Sequence, residues 1–495
     1  MAYDVDLLVL GGGAAGLTAA GTAANLGAKT MLVERDRLGG DCTWTGCVPS
    51  KTLLHHADLR AHAAAVLADA ARGDGATPNL PPVDFAAVIG DVRETRREIY
   101  QDADAPEIFE GFGIEVVTGD AAFTGPHAVR IDGDSPRDVT FRMAVICTGG
   151  RAAPPPIDGL DETPHLTNEG LFEIETLPGH LVIVGAGPIG CEMGQAFRRL
   201  GSEVTIVDRA DRPLGRDDAD HARIIQRVLE GEGVRFVLGA DVDRVEGEVG
   251  AVTLHLSRDG QSETVEGDTL LIATGRKPNV EGLGLEAAGV AVGKKGVTVN
   301  ERCRTSQRHI WAAGDCTGEY QLTHMSEHMG KLAATNAVLK LPSSIDRDGI
   351  AWTTFTTPEV AQLGPTEAEL RDDGRSFVTY RFPYTKVDRA ATEHATTGHI
   401  KIHATRWRGT ILGASVVGAR AGELISMLAV AKKGGVSVRT VSDTIIPYPT
   451  YGLGARRAAD QYYVQKQFPT AISAVKRVFG YRGLTPPPPD PDRVL

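Results

Sequence analysis

The chain has 495 residues, enough for about three domains that each bury a core, and its 42% hydrophobic and 23% charged composition is ordinary for a globular protein. A net charge of −12 repels a phosphate backbone and argues against nucleic acid as a partner. No run approaches the roughly 20 apolar residues of a membrane-spanning helix, so no membrane role is expected.

The first stretch, "MAYDVDLLVLGGGAAG", carries aspartates where a secretory signal carries basic residues, and its short apolar run ends in glycines; a cytoplasmic chain is expected. "LLVLGGGAAGLTAAGTAANLGAKTMLVERD" from Leu7 then reads as strand, glycine turn, alanine-rich helix and second strand ending in an acid. The same pattern returns from Leu181 as "LVIVGAGPIGCEMGQAFRRLGSEVTIVDRA". Gly11, Gly13 and Gly16 match Gly185, Gly187 and Gly190, and Glu34 and Asp208 each fall 23 residues after the first glycine. These are two dinucleotide-binding βαβ fingerprints: the glycines admit a pyrophosphate to a helix N-terminus, and the acid accepts hydrogen bonds from a ribose.

Between the two units, residues 50 to 105 read as helical, with a turn-rich loop at "RGDGATPNLPP". Short strands follow in "IEVVTGDAAF" and "AVRIDG", and "MAVICTGGRAAPPPI" leads into the second unit. "ATGRKPN" near residues 273 to 279 marks the way back. From about residue 350, alternation in "HIKIHA" and "ILGASVVG" indicates a sheet with packed helices, and "TPPPPDPDRVL" reads as an extended tail.

"GGDCTWTGCVPSK" at 39 to 51 places Cys42 and Cys47 five apart. On a regular helix such positions point about 140° apart, so the two sulfurs meet only across a turn or a distorted helix start, which the flanking glycines and Pro49 permit. Six cysteines (42, 47, 147, 191, 303 and 316) are too few for a structural disulfide framework in so long a chain. His55 and His56 lie near, but no second ligand pair stands in zinc register, so no metal site is expected. A working redox pair is the favoured reading, and two dinucleotide sites suit electron transfer.

These residues resemble the flavin-dependent pyridine nucleotide-disulfide oxidoreductases, the group of lipoamide dehydrogenase, glutathione reductase and mercuric reductase. The likeness spans about residues 4 to 465 and rests on GGGAAG with Glu34, GGDCTWTGCVPSK, GAGPIGCE, ATGRKPN, AAGDCTG, FTTPEVAQLG and DRA. It implies an α/β fold with two Rossmann-like dinucleotide-binding domains and a C-terminal α+β dimerisation domain. The implied boundaries are 1–150 for the FAD-binding domain, 151–272 for the NAD(P)-binding domain, 273–345 for a return to the FAD-binding and central region, 346–470 for dimerisation and 471–495 for the tail.

The resemblance assigns tightly bound FAD to the first unit, with Glu34 on the adenosine ribose, Asp315 on the ribityl chain, and Ala121 and Thr148 making backbone contacts. Cys47 is implied as the thiol nearer the flavin and Cys42 as the interchange thiol. Lys51 is implied to pair with Glu192 near the flavin. The second unit and Gly275 are implied to hold NADH or NADPH. Asp208 favours NADH, since a carboxylate repels the 2′-phosphate of NADPH, although Arg209 and Arg212 lie close in sequence. The implied assembly is a homodimer.

One motif departs from the family. Disulfide-reducing members carry a His-Pro-Thr segment whose histidine serves the interchange thiol, whereas "IIPYPTYGLGARRAAD" places Tyr448 at that position and Leu453 where the supporting glutamate stands. A phenol with a pKa of about 10 donates a hydrogen bond but is a poor base. Mercuric reductases also carry tyrosine here, yet no cysteine follows Cys316 to provide their C-terminal pair. The expected activity is hydride transfer from nicotinamide to flavin to the Cys42–Cys47 disulfide, and then to a disulfide, small-thiol, soft-metal or other electrophilic oxidant. A mercuric reductase-like metal ion reductase, a flavin diaphorase and a redox-sensing flavoprotein are the alternatives.

Overall fold

Runs such as LVIV and TMLV are apolar on both faces, as strands covered on both sides of a parallel sheet must be. In the computed structural model, which describes residues 3–70, 80–133, 136–465 and 469–484, such runs form parallel-paired strands in two sheets. The described chain divides into two units: one of residues 1–209 and 233–345, the other of 210–232 and 346–495. Among the described residues no helix is long and apolar enough to cross a membrane.

In the first unit, one sheet runs in the order Glu115–Thr118, Thr30–Glu34, Val5–Leu10, Arg137–Ile146, Ala128–Asp132, Asp120–Gly125. Its first four strands are parallel, and Ile310–Ala312 joins Arg137–Ile146 in parallel, so the chain returns to this sheet after building the second one. The second sheet, Val234–Leu238, Glu203–Asp208, His180–Val184, Thr269–Ile272, is parallel throughout. An antiparallel sheet of Asp241–Glu248, Ala251–Arg258 and Gln261–Gly267 follows it. The helix after the first glycine turn, Ala14–Asn25, packs on the helix Thr323–Leu339; the helix after the second, Pro188–Leu200, packs on the helix Cys47–Ala70. Those two pairings carry the chemistry described below.

The second unit is an antiparallel sheet in the order Ala351–Thr354, Glu359–Leu363, Ile411–Gly418, His399–Ala404, Val378–Pro383. Helices Ala421–Lys433 and Gly452–Gln465 cover it, over a core that includes Tyr380, Tyr384 and Leu428. The alternation of HIKIHA is real, but its polar positions do not face water: Lys401 and His403 are buried. Together the parts make an α/β molecule with two Rossmann-like units and a C-terminal α+β sheet.

Residues 210–232, read from the sequence within the second nucleotide domain, group here with the C-terminal sheet, where Asp218 and Asp220 bind Lys401. Residues 471–479, placed in the tail, belong to the helix Pro469–Phe479. The loop at 71–79 and the proline-rich end at 485–495 lie outside the described residues.

Candidate active site

Both glycine turns obey one steric rule. Gly11 and Gly185 have φ of +101° and +114°, a region that side chains avoid. A Cβ on Gly16 would lie 1.8 Å from the Gly11 carbonyl oxygen, and one on Gly190 would lie 1.9 Å from that of Gly185. Each helix therefore starts hard against its strand. Gly13 and Gly187 are the N-caps, and neither helix has a side-chain cap, so the first-turn N–H groups are presented to a ligand. Glu34 Oε2 accepts from Gly12 N at 2.7 Å, and Asp208 Oδ2 from Ala186 N at 2.6 Å, which fixes both acids at the mouths of the turns. These cradles fit two dinucleotide pyrophosphates.

The turns differ in what lies over them. Gly39 N donates to Gly12 O at 2.9 Å, and a Cβ on Gly40 would stand 2.7 Å from Gly13 Cα. The loop that carries the thiols thus sits directly on the first turn. Among the described residues nothing lies within 4 Å of a Cβ on Gly187.

Beyond that loop, a short helix Gly40–Trp44 ends, Thr45 and Gly46 break the path, and a new helix starts at Cys47. A Cβ on Gly46 would lie 2.8 Å from Asp41 O, so only glycine permits this bend. The bend brings Cys42 and Cys47 close enough that each is the first influence on the other's pKa. Both stand as free thiols, one of the two forms that the expected redox pair takes. Asn168 Nδ2 pins the bend by donating to Asp41 Oδ1 at 3.0 Å and Thr45 O at 3.3 Å, and Arg96 donates to Trp44 O at 2.7 Å.

One proton serves both sulfurs. The Cys42 hydrogen bond is the largest influence on Cys47 and lowers its pKa to about 6, against burial and with help from Thr323 and the Lys51 charge. The same bond, followed by burial, pushes Cys42 well up. The coupling favours the thiolate on Cys47 and the proton on Cys42. Cys47 is exposed and Cys42 half-buried.

Packing of Pro188–Leu200 on Cys47–Ala70 places Glu192, its side chain 6% exposed, against Lys51, with Nζ to Oε2 at 2.7 Å. Packing of Ala14–Asn25 on the helix that begins at Thr323 accompanies the approach of Thr323 Oγ1 to 3.3 Å from Cys47 Sγ. Thr323 was not anticipated, and no sequence pattern marks it.

Asp315 is half-buried beside the thiol-bearing loop. Arg276 bridges it to that loop, with Nε 3.3 Å from Asp315 Oδ2 and a terminal nitrogen 2.7 Å from Asp41 Oδ2. Burial raises the Asp315 pKa, with the Arg276 charge the first opposing influence. Arg276 lies inside ATGRKPN, where the sequence reading singled out Gly275; a Cβ on Gly275 would meet nothing within 4 Å. Thr148 is held by reciprocal bonds with Asn279, Oγ1 to O at 2.6 Å and Nδ2 to O at 3.0 Å. Ala121 pairs with Ile131 two residues beyond Gly119, whose N–H donates to Glu34 O at 2.9 Å. Tyr448 belongs to the second unit and is 70% exposed. The Asp388 carboxylate beside it raises the phenol pKa and keeps its proton in place.

Comparison with known proteins agrees with this geometry. Residues 5–330 match the pyridine nucleotide-disulphide oxidoreductase family and 350–458 its dimerisation domain. The chain is 34% identical over 461 residues to a mercuric reductase of Bacillus cereus, covering 92% of this chain and 71% of that protein. It is 32% identical over 466 residues to a dihydrolipoyl dehydrogenase of Geobacillus stearothermophilus, covering 93% and 96%. Among solved structures, the Cu(II) complex of the HOCl-induced flavoprotein disulfide reductase RclA from Escherichia coli superposes with a TM-score of 0.81 at 28% identity, covering 93% of this chain and all of that one. The chain belongs to the pyridine nucleotide-disulphide oxidoreductases, FAD- and NAD(P)H-binding enzymes that exchange electrons with disulfides.

Proposed function

We propose that the chain is an NAD(P)H-dependent flavoprotein reductase whose Cys42–Cys47 pair passes two electrons to a soft-metal, activated-disulfide or other electrophilic acceptor that needs no histidine base. The carrying observation is the asymmetry of the pair: Cys47 near a pKa of about 6 and Cys42 well above its ordinary range. FAD is assigned to Gly11, Gly13, Gly16 and Glu34 with Ala121, Thr148 and Asp315, and the nicotinamide dinucleotide to Gly185, Gly187, Gly190, Asp208 and Gly275. When bound, these cofactors supply hydride transfer and two-electron exchange with the sulfurs.

The chain's own groups set the direction of that exchange. Lys51, oriented by Glu192, favours the Cys47 thiolate, and Thr323 donates to it. Cys42 keeps its proton until an acceptor draws on it. Arg212 donates to the carbonyls of Leu214, Gly215 and Asp217 at 3.3, 2.8 and 3.1 Å, which occupies its guanidinium within its own loop and supports NADH over NADPH.

The match to a dimerisation domain supports a homodimer, in which Tyr448 of one subunit donates its hydroxyl toward Cys42 of the partner subunit. The names of the relatives, mercuric reductase and a Cu(II) complex of an HOCl-induced reductase, support soft or electrophilic acceptors. NADH oxidation by the purified holoenzyme, assayed with Hg(II), Cu(II), disulfides, quinones and hypochlorite, tests this reading. Turnover with at least one acceptor should vanish in the Cys42→Ser/Cys47→Ser double variant, and undiminished turnover there would make the protein a diaphorase. Tyr448→Phe should leave flavin reduction unchanged and slow acceptor reduction about tenfold, the loss of one ordinary hydrogen bond.

A further inference from the structure

The second unit holds a polar cluster far from the thiols in sequence. Asp220 and His221 lie in the first turn of the helix Ala219–Gly231, and His399 begins the strand His399–Ala404. Their Nε2 and carboxylate oxygen atoms converge within 4.8 Å of one another. His221 Nε2 stands 2.9 Å from His399 Nε2, and His399 Nε2 stands 3.4 Å from Asp220 Oδ2.

We propose that Asp220, His221 and His399 form a binding site for a divalent transition metal of the zinc, copper or nickel class. The proposal does not rest on the redox reading of the first unit.

A metal ion accepts one lone pair from each of the three converging ligand atoms.

Distances agree. Ligand atoms about 2.0–2.1 Å from one metal, at angles of 90–110°, stand about 2.9–3.4 Å apart, and the two measured separations are 2.9 and 3.4 Å. Imidazole nitrogen with one carboxylate suits borderline cations rather than calcium or magnesium.

The surroundings orient the carboxylate ligand. Lys401 Nζ bonds Asp220 Oδ1, which leaves Oδ2 for the site, and it bonds Asp218 Oδ1 at 2.9 Å. Asp218 also has a second buried oxygen, Oδ2, with no hydrogen-bond partner among the described residues. The side chains of Asp220 and His399 are 40% and 21% exposed, which provides entry from solvent while His221 is wholly buried.

The test uses the flavin-loaded Cys42→Ser/Cys47→Ser protein, so that the thiols do not compete for metal. Titration with Cu(II), followed by equilibrium dialysis and electron paramagnetic resonance, should give one tight copper per chain with superhyperfine coupling to two imidazole nitrogens. Adding His399→Gln should weaken binding at least about tenfold and remove one nitrogen from the pattern. Asp220→Asn, at a more exposed position, should weaken binding similarly and stands in should His399→Gln lose its flavin or fold. His56→Gln, which removes the His56–Asp91 pair at 2.8 Å, should change nothing. The proposal is overturned by absence of a stoichiometric copper in the parent, or by an unchanged affinity and spectrum in His399→Gln and Asp220→Asn.

Discussion

The two glycine turns share nearly every backbone contact, yet only one is roofed. Gly11 N binds Val33 O and Gly185 N binds Val207 O, both at 2.8 Å, so the strand-to-turn geometry is the same twice over. Over the first turn lies the loop of Gly39 and Gly40 that leads into the thiols; over Gly187 lies nothing within reach of a Cβ. On the function proposed above, the roofed cradle retains FAD and the open one lets the nicotinamide nucleotide exchange, so that the fingerprint makes a site while a neighbouring loop sets residence time. In this chain that loop also bears the reactive sulfurs.

The largest expected effect comes from removing the roof. A side chain on Gly40, at φ of +58°, would meet Gly13 Cα at 2.7 Å, contact with backbone that cannot yield as a flexible side chain does. Gly40→Val should therefore lose most of its flavin on dialysis, measured as the absorbance ratio of flavin to protein. Gly187→Ala, whose Cβ meets no part of the chain, should fold and keep its flavin while its KM for the nicotinamide nucleotide rises. Equal flavin retention in Gly40→Val and wild type would break the comparison.

A middle-sized effect concerns the sulfurs under that roof. A thiolate beside flavin gives a long-wavelength absorbance band in two-electron-reduced enzyme, and only the ionised form gives it. Because the Cys47 pKa is lowered to about 6, the band should be full at pH 8 and fade as the pH falls through about 6. Removing the influences that lower this pKa should move the midpoint upward, most in Cys42→Ala, less in Thr323→Val and least in Lys51→Met, the order of their contributions. A midpoint near 9 in wild type, the ordinary thiol value, would remove the asymmetry proposed for the pair.

The same contrast explains how much the sequence revealed. The turns were legible because their constraint is local: Gly11 and Gly16 are five apart and clash through one Cβ. The Cys42–Cys47 bend was legible only in part: Gly39, Gly40 and Pro49 signalled irregular backbone, while Gly46, which makes the bend, was not singled out. Contacts created by packing were not. Thr323 reaches Cys47 across 276 positions, and His221 reaches His399 across 178, so neither pair leaves a spacing to read. The absence of a metal site was inferred from linear register, which such a pair escapes. Lys401 and His403 occupy polar positions of an alternating strand, where solvent is the usual neighbour; the described structure instead buries both, with Lys401 bonded to carboxylates of the Ala219–Gly231 segment.

The smallest effect sharpens the open side of the comparison. An unroofed turn must choose its ligand with the few groups at its mouth, and at the second turn the strand ends in Asp208. Its Oδ2 accepts from Ala186 N at 2.6 Å, so truncation to alanine would disturb the turn as well as the charge. Asp208→Asn keeps an acceptor for that N–H and removes the charge alone. Two unit charges about 4 Å apart in water-like surroundings repel by about 1 kcal/mol, and a 2′-phosphate carries nearly two, so relief should approach 1.4–2 kcal/mol. Preference for NADH over NADPH, taken as the ratio of kcat/KM values, should fall about tenfold, mainly through a lower KM for NADPH. With Arg212 occupied by three carbonyls of its own loop, Arg212→Gln should leave that ratio nearly unchanged. A strong NADPH preference in wild type that collapses in Arg212→Gln would transfer the choice from the acid to the arginine, and would mean that the loop opens to meet its nucleotide.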